Sequence, residues 1–129
     1  MEQEDWTIHR KPYDLRERLF LYACLIVRLV QFLQRRGPIA VSLSDQILKS
    51  GTSAGANYEE ADDGSSPRDR LAKRKIVPRE LKESAFRLRV LRNTGILTTE
   101  HDPVIAETQE LVKIVATLVR KSAARVTAT

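Results

Sequence analysis

Between Leu43 and Ala61 the chain keeps a helical period while filling the middle of that period with the smallest side chains available. Leu43, Ile47 and Leu48, then Ala54, Tyr58 and Ala61, recur at three- and four-residue steps, so one apolar face runs through Ser50, Gly51, Ser53, Gly55 and Ala56. A glycine inside a helix costs about 1 kcal/mol relative to alanine. Two glycines in one face therefore predict a close backbone approach, by a second helix or a second subunit, that offsets this cost. Ser50-Gly51-Thr52-Ser53 also has the composition of a linker, but the apolar period does not reset across it.

Three further helical segments surround this one. The first is expected from about Asp14, as N-cap, to Arg36, where Gly37-Pro38 stops it. The small-residue helix follows, from Ile39 or Leu43 to Asp63, and Gly64-Ser65-Ser66 breaks the pattern. Ser66-Pro67-Arg68-Asp69 has the form of a capping box with proline at the first helical position, opening a third helix that runs to about Thr94 and ends at Gly95. Pro78 falls in its interior, and a kink or a break near Val77 is expected. Asp102-Pro103 opens a fourth helix that continues to about Ala124. No alternating strand pattern of useful length occurs. The expected fold is an all-α, antiparallel up-and-down four-helix bundle over residues 14–124, with flexible segments at 1–13 and 125–129.

From Leu19 to Leu33 the first helix is apolar at nearly every position, with Arg28 and Gln31 the exceptions, so it must be covered on more than one side. In the third helix Leu71, Leu81, Ala85 and Leu88 form one stripe while Phe86 and Val90 point away from it. One stripe can serve the monomer and the other a neighbouring subunit, which predicts a homo-oligomer; long helices burying wide faces inside one monomer is the alternative.

With 129 residues the chain suits one domain that buries about two-thirds of its unfolded surface. Cys24 is alone, which excludes a disulfide framework and points to a reducing, cytoplasmic setting, and its place in an apolar run predicts a small buried hydrophobe. The first ten residues carry acids and no apolar core of a secretory signal. The longest apolar run, Leu19 to Val27, is about half of the roughly 20 residues needed to span a bilayer. No membrane partner is expected.

The formal net charge of +5 hides a strong polarity. From Pro67 to Arg92 ten basic residues face three acids, whereas from Ile39 to Asp63 Lys49 stands against Asp45, Glu59, Glu60, Asp62 and Asp63. Within the basic helix Asp69 with Lys73, Arg79 with Glu83 and Glu83 with Arg87 are expected four-residue pairs. Arg68, Arg70, Arg74, Lys75, Lys82, Arg89 and Arg92 lack such a partner and are the candidate nucleic-acid-binding residues, acting on the phosphate backbone by counterion release. The competing reading is neutralisation by the acidic second helix, or docking on an acidic protein. Phe86 is the only aromatic residue of the basic stretch, which does not support sequence-specific base reading.

Catalytic patterns are not found. His9 and His101 have no Cys or carboxylate at metal-ligand spacing, and Glu59, Glu60, Asp62 and Asp63 cluster at a helix end as a solvated acidic group would. No Glu-x-x-His pair, phosphate loop, nucleophile elbow or dinucleotide fingerprint occurs, and Ser50, Thr52 and Ser53 have no histidine at a base position. No enzyme activity, metal or cofactor is expected.

The run Ser44 to Ala61, the Ser66-x-x-Asp69 start of the third helix and Leu81-Lys-Glu-Ser-Ala-Phe-Arg-Leu-Arg-Val-Leu91 together resemble the bacterial four-helix-bundle proteins of the 23S rRNA-intervening-sequence family, over about Tyr13 to Ala124. The resemblance implies a homopentamer without catalytic activity. It also implies a kinship with the accessory proteins of reverse transcriptases in diversity-generating retroelements, and hence RNA or DNA and a nucleic-acid enzyme as partners. What carries over to these residues is the Ser50 to Tyr58 packing motif and the basic third helix. The chain departs from the family pattern at Pro78, at Phe86-Arg87, where an aromatic pair is common, and at Ala54, where a branched residue is usual.

Overall fold

The computed structural model describes residues 4–128, and among these the regular structure is helical, with no strand. Helices α1 (Leu15–Leu33), α2 (Pro38–Asp62), α3 (Pro67–Arg74), α4 (Ile76–Asn93) and α5 (Asp102–Ala128) follow one another, with a 3₁₀ turn at Thr99–His101 ahead of α5. α1 packs on α2, α2 on α4 and α4 on α5, while α3 and α4 make up the third rod of a four-helix bundle. Among the described residues no helix is long and apolar enough to cross a membrane.

The helix ends follow local chemistry. Asp14 caps α1 by accepting the Arg16 N–H at 3.0 Å. α1 stops at Leu33, short of the expected Arg36, because Arg35 and Arg36 tighten into a turn that donates to the carbonyls of Phe32 and Leu33. Gly37 then takes φ 105°, which side chains disfavour, and Pro38 starts α2 at once. At α3 the Ser66 hydroxyl accepts the Asp69 N–H at 3.1 Å, and the Asp69 carboxylate accepts from the Ser65 N–H at 3.0 Å, one residue further back than in a capping box. That backbone bond, with Lys73 beside it, holds the Asp69 carboxyl below its usual range.

Pro78 is not interior to a helix. The third rod breaks at Lys75, and Pro78 occupies the first turn of α4, where no N–H is required. Had the helix continued, the proline ring would have met the Arg74 carbonyl four residues back, so α3 ends at Arg74.

The small residues of α2 serve two neighbours at once. Gly51 lies under Ile26 of α1 so closely that an added Cβ would be 2.9 Å from its Cγ2. On the adjoining side the buried hydroxyls of Ser50 and Ser84 of α4 meet at 2.6 Å, each satisfying the other in the core. The rest of the expected small-residue face is looser. A Cβ on Gly55 would make ordinary contact with Leu19 at 3.5 Å, Ser53 is half-buried and donates its hydroxyl to the Lys49 carbonyl, and Ala56 is exposed.

Leu19, Tyr22, Ile26, Leu29 and Leu33 bury one side of α1 against Ile47, Leu81, Leu88 and Leu111 of the other rods. The opposite side, Phe20, Cys24 and Val27, faces outward, with Phe20 53% exposed. The expectation of a buried Cys24 therefore fails: a helix apolar all round has more apolar surface than three neighbours can cover.

The two segments expected to be flexible take part in the structure where they are described. Trp6 is 3% exposed and packs against Phe32 and His101, with the Arg28 guanidinium over its ring and Arg28 also bonded to Glu4 at 3.0 Å. Lys11 reaches Glu110 at 3.0 Å and Glu107 at 3.3 Å, so residues 4–11 run along the seam between α1 and α5. At the other end α5 continues past Ala124 to Ala128, with Ser122 buried. Residues 1–3 and 129 of those two segments lie outside the described residues.

Two buried polar groups brace the α1–α5 seam. Arg18 forms a fork on Glu107 at 2.7 and 3.0 Å, and this pairing raises the Arg18 pKa. The Tyr22 and Thr108 hydroxyls meet at 2.7 Å, with Thr108 giving its proton to the Val104 carbonyl at 2.8 Å and so accepting from Tyr22, and burial pushes the Tyr22 phenol upward.

Candidate nucleic-acid interface

The seven candidate basic residues divide into three that the fold employs and four that it leaves free. Leu71 is the one buried residue of α3, so the remainder of that short helix lies at or near the surface. Arg70 donates to the Gly64 carbonyl at 3.3 Å and so closes the α2–α3 turn. Arg74 is paired with Asp62 of α2 at 3.3 Å, lies over the Tyr58 ring and leaves its buried Nε unsatisfied. Arg92 bonds to Asp102 at 2.9 Å, joining α4 to the start of α5. These three arginines tie elements together, and the neutralisation expected from the acidic second helix is real at Arg74.

Arg68, Lys75, Lys82 and Arg89 are exposed and form no ion pair among the described residues. Arg79 joins them. Its expected pair with Glu83 does not form, because Glu83 turns to Arg87 at 3.8 Å, whereas Lys73 and Asp69 do pair, at 3.4 Å. Glu80, half-buried beside Glu83, has its pKa raised by burial first and by that neighbour second. The α2 acids offer these cations little: Glu59 pairs with Arg16 at 3.4 Å, and Asp62 serves both Arg16 and Arg74.

Helix packing adds residues that a count along one helix misses. α5 runs beside α4, and Lys113 and Gln109 of α5 line a surface trough with Lys82, Phe86 and Arg89. Lys121 continues the basic edge of α5 beside Ile114 and Leu118. Lys113 and Lys121 are eight residues apart on one helix face, a signal present in the sequence but outside the basic stretch. Phe86 is 64% exposed in the middle of the trough.

The site therefore offers exposed point charges along α4 and a neighbouring edge of α5. Among the described residues no group of three His, Cys, Asp or Glu side chains is placed to hold a metal ion.

No family model matches the chain, and no curated protein does either. Among solved structures it is similar to a protein of unknown function from the S23 ribosomal protein family of Bacteroides thetaiotaomicron, with 28% identity and a TM-score of 0.75 over 82% of this chain and 98% of that one. That similarity agrees in broad terms with the resemblance carried by the α2 motif, at the level of an all-helical bundle of this type.

Proposed function

We propose that the protein is a non-enzymatic, self-assembling four-helix bundle that binds RNA or DNA without sequence preference, as an accessory to RNA processing or reverse transcription. The observation that carries this reading is the row of exposed cations that form no ion pair among the described residues, Lys75, Arg79, Lys82 and Arg89, joined across the trough by Lys113. Four phosphate contacts would make affinity fall about 100-fold between 50 and 200 mM salt. For assembly, the outward stripe of Phe20, Cys24 and Val27 on α1 supports contact with further copies beside the notch at Gly55 and Ala56. Five subunits is the number the family resemblance implies.

The test is fluorescence anisotropy of labelled RNA and DNA titrated with nuclease-treated protein across a salt series, with particle mass measured by light scattering. Reversing Lys75, Lys82 and Arg89 to glutamate is expected to abolish binding and leave the particle mass unchanged, and each charge removed singly should lower the salt slope by about 1. Loss of assembly in the reversed variants would assign those charges to subunit contact. Absence of binding at low salt would leave an acidic protein surface as the better partner.

A further inference from the structure

Resting on that nucleic-acid reading, we propose that Phe86 is a base-stacking platform that makes this surface prefer single-stranded nucleic acid to duplex. Large aromatic rings are among the first groups a bundle buries, yet Phe86 is 64% exposed, more than any other phenylalanine described. Lys82 precedes it by four residues and Arg89 follows it by three, so all three lie on one stripe of α4 spanning about 10 Å along the axis. Lys113 faces them from α5, and Gln109 beside it offers an amide to a base or sugar edge. Arg89 and Phe86 also border a second trough, where the acid present, Asp102, is already held by Arg92.

An apolar ring set among cations that form no ion pair among the described residues, with Glu83 three residues before it held by Arg87 and Asp102 held by Arg92, suits a ligand with both an anionic backbone and exposed π-faces. Unpaired nucleotides have both. In a duplex the base faces are already stacked on one another, so the cations can engage it but the ring cannot. Stacking is sequence-tolerant because every base has a π-face, in keeping with the lack of base-reading groups. A second copy of this chain is the competing occupant, since Phe86 and Val90 form the stripe of this helix that points away from the monomer core, and particle mass tells the two apart.

Dissociation constants of Phe86→Ala, Phe86→Leu and Phe86→Tyr for a single-stranded oligonucleotide and for the matching duplex decide the matter, with particle mass checked for each. Loss of one stacked base corresponds to a roughly 5- to 150-fold weaker single-strand complex. The alanine and leucine variants are expected to show that loss, the tyrosine variant to keep near-wild-type affinity, and duplex binding to stay within about twofold throughout. Leucine keeps the apolar bulk without the π-face, so a leucine variant that binds single strands normally overturns the proposal. A change of particle mass also overturns it, by placing Phe86 in a subunit contact. If single strands and duplex bind equally and no Phe86 variant matters, stacking is refuted while charge-driven binding stands; if neither binds at low salt, both readings fall together.

Discussion

Replacing Gly51 and Gly55 in turn by alanine separates a glycine that the packing requires from one that it tolerates. Both sit inside α2, so each substitution gains up to about 1 kcal/mol of helix propensity. At Gly55 the new methyl would lie 3.5 Å from Leu19, an ordinary contact, so Gly55→Ala should stabilise by about 0.5–1 kcal/mol. At Gly51 it would lie 2.9 Å from Cγ2, 3.0 Å from Cγ1 and 3.3 Å from Cβ of Ile26. A β-branched side chain in a helix is stiff at χ1, so the overlap cannot be relieved by a rotamer change and α1 must move away from α2. Overpacking of this kind costs about 1–3 kcal/mol, so Gly51→Ala should be neutral to destabilising by about 2 kcal/mol. The informative quantity is the difference between the two variants, about 1–3 kcal/mol, or several degrees in Tm for a chain of this size. Urea unfolding followed by helical circular dichroism at one fixed protein concentration measures it, since association shifts apparent stability. In an Ile26→Ala background the two clashing γ-carbons are gone and Gly51→Ala should become stabilising. Were Gly51→Ala to stabilise the wild-type chain as much as Gly55→Ala, the account of the small-residue tract as a close helix approach would be wrong.

Two further perturbations probe the seam between α1 and α5. Glu107→Leu should cost about 1–3 kcal/mol by removing the two-pronged partner of the buried Arg18 and leaving it Glu110 at 3.2 Å, while the double variant Arg18→Met with Glu107→Leu should recover much of the loss; equal costs for single and double variants would deny a coupled pair. His101 is buried beside Trp6 and Phe32, its Nδ1 accepting the Thr98 N–H at 3.0 Å, and burial lowers its pKa. A depressed folded-state pKa means that this corner is fully stable above about pH 6.5 and loses stability as pH falls below it, because the unfolded chain binds the proton first. Trp6 is the single tryptophan, so urea unfolding followed by its fluorescence should show that loss in the wild type and in His9→Gln, and a smaller one in His101→Phe; an unchanged pH profile in His101→Phe would exclude His101 as its source.

Helical class, most of the breaks and the stretch of α2 that another helix approaches closely are legible in the residues alone. Periodicity, Gly-Pro and Asx-Pro punctuation and capping residues are local properties, set by backbone sterics and hydrogen bonds within a few residues. The α2 tract was legible for the same reason, since two glycines in a helical face make sense only where something comes close. Which glycine does so was not legible: Gly51 and Gly55 have the same helical role, and only the path of α1 puts Ile26 over the first. Tertiary structure likewise decided which charges are free. Arg74 and Arg92 look like Lys82 and Arg89 along one helix, but their partners Asp62 and Asp102 are 12 and 10 residues away and come within reach through the α2–α3 and α4–α5 turns. Cys24 turned outward, Trp6 turned inward and Phe86 left among cations are likewise outcomes of how many neighbours each helix has, a number that no local pattern encodes.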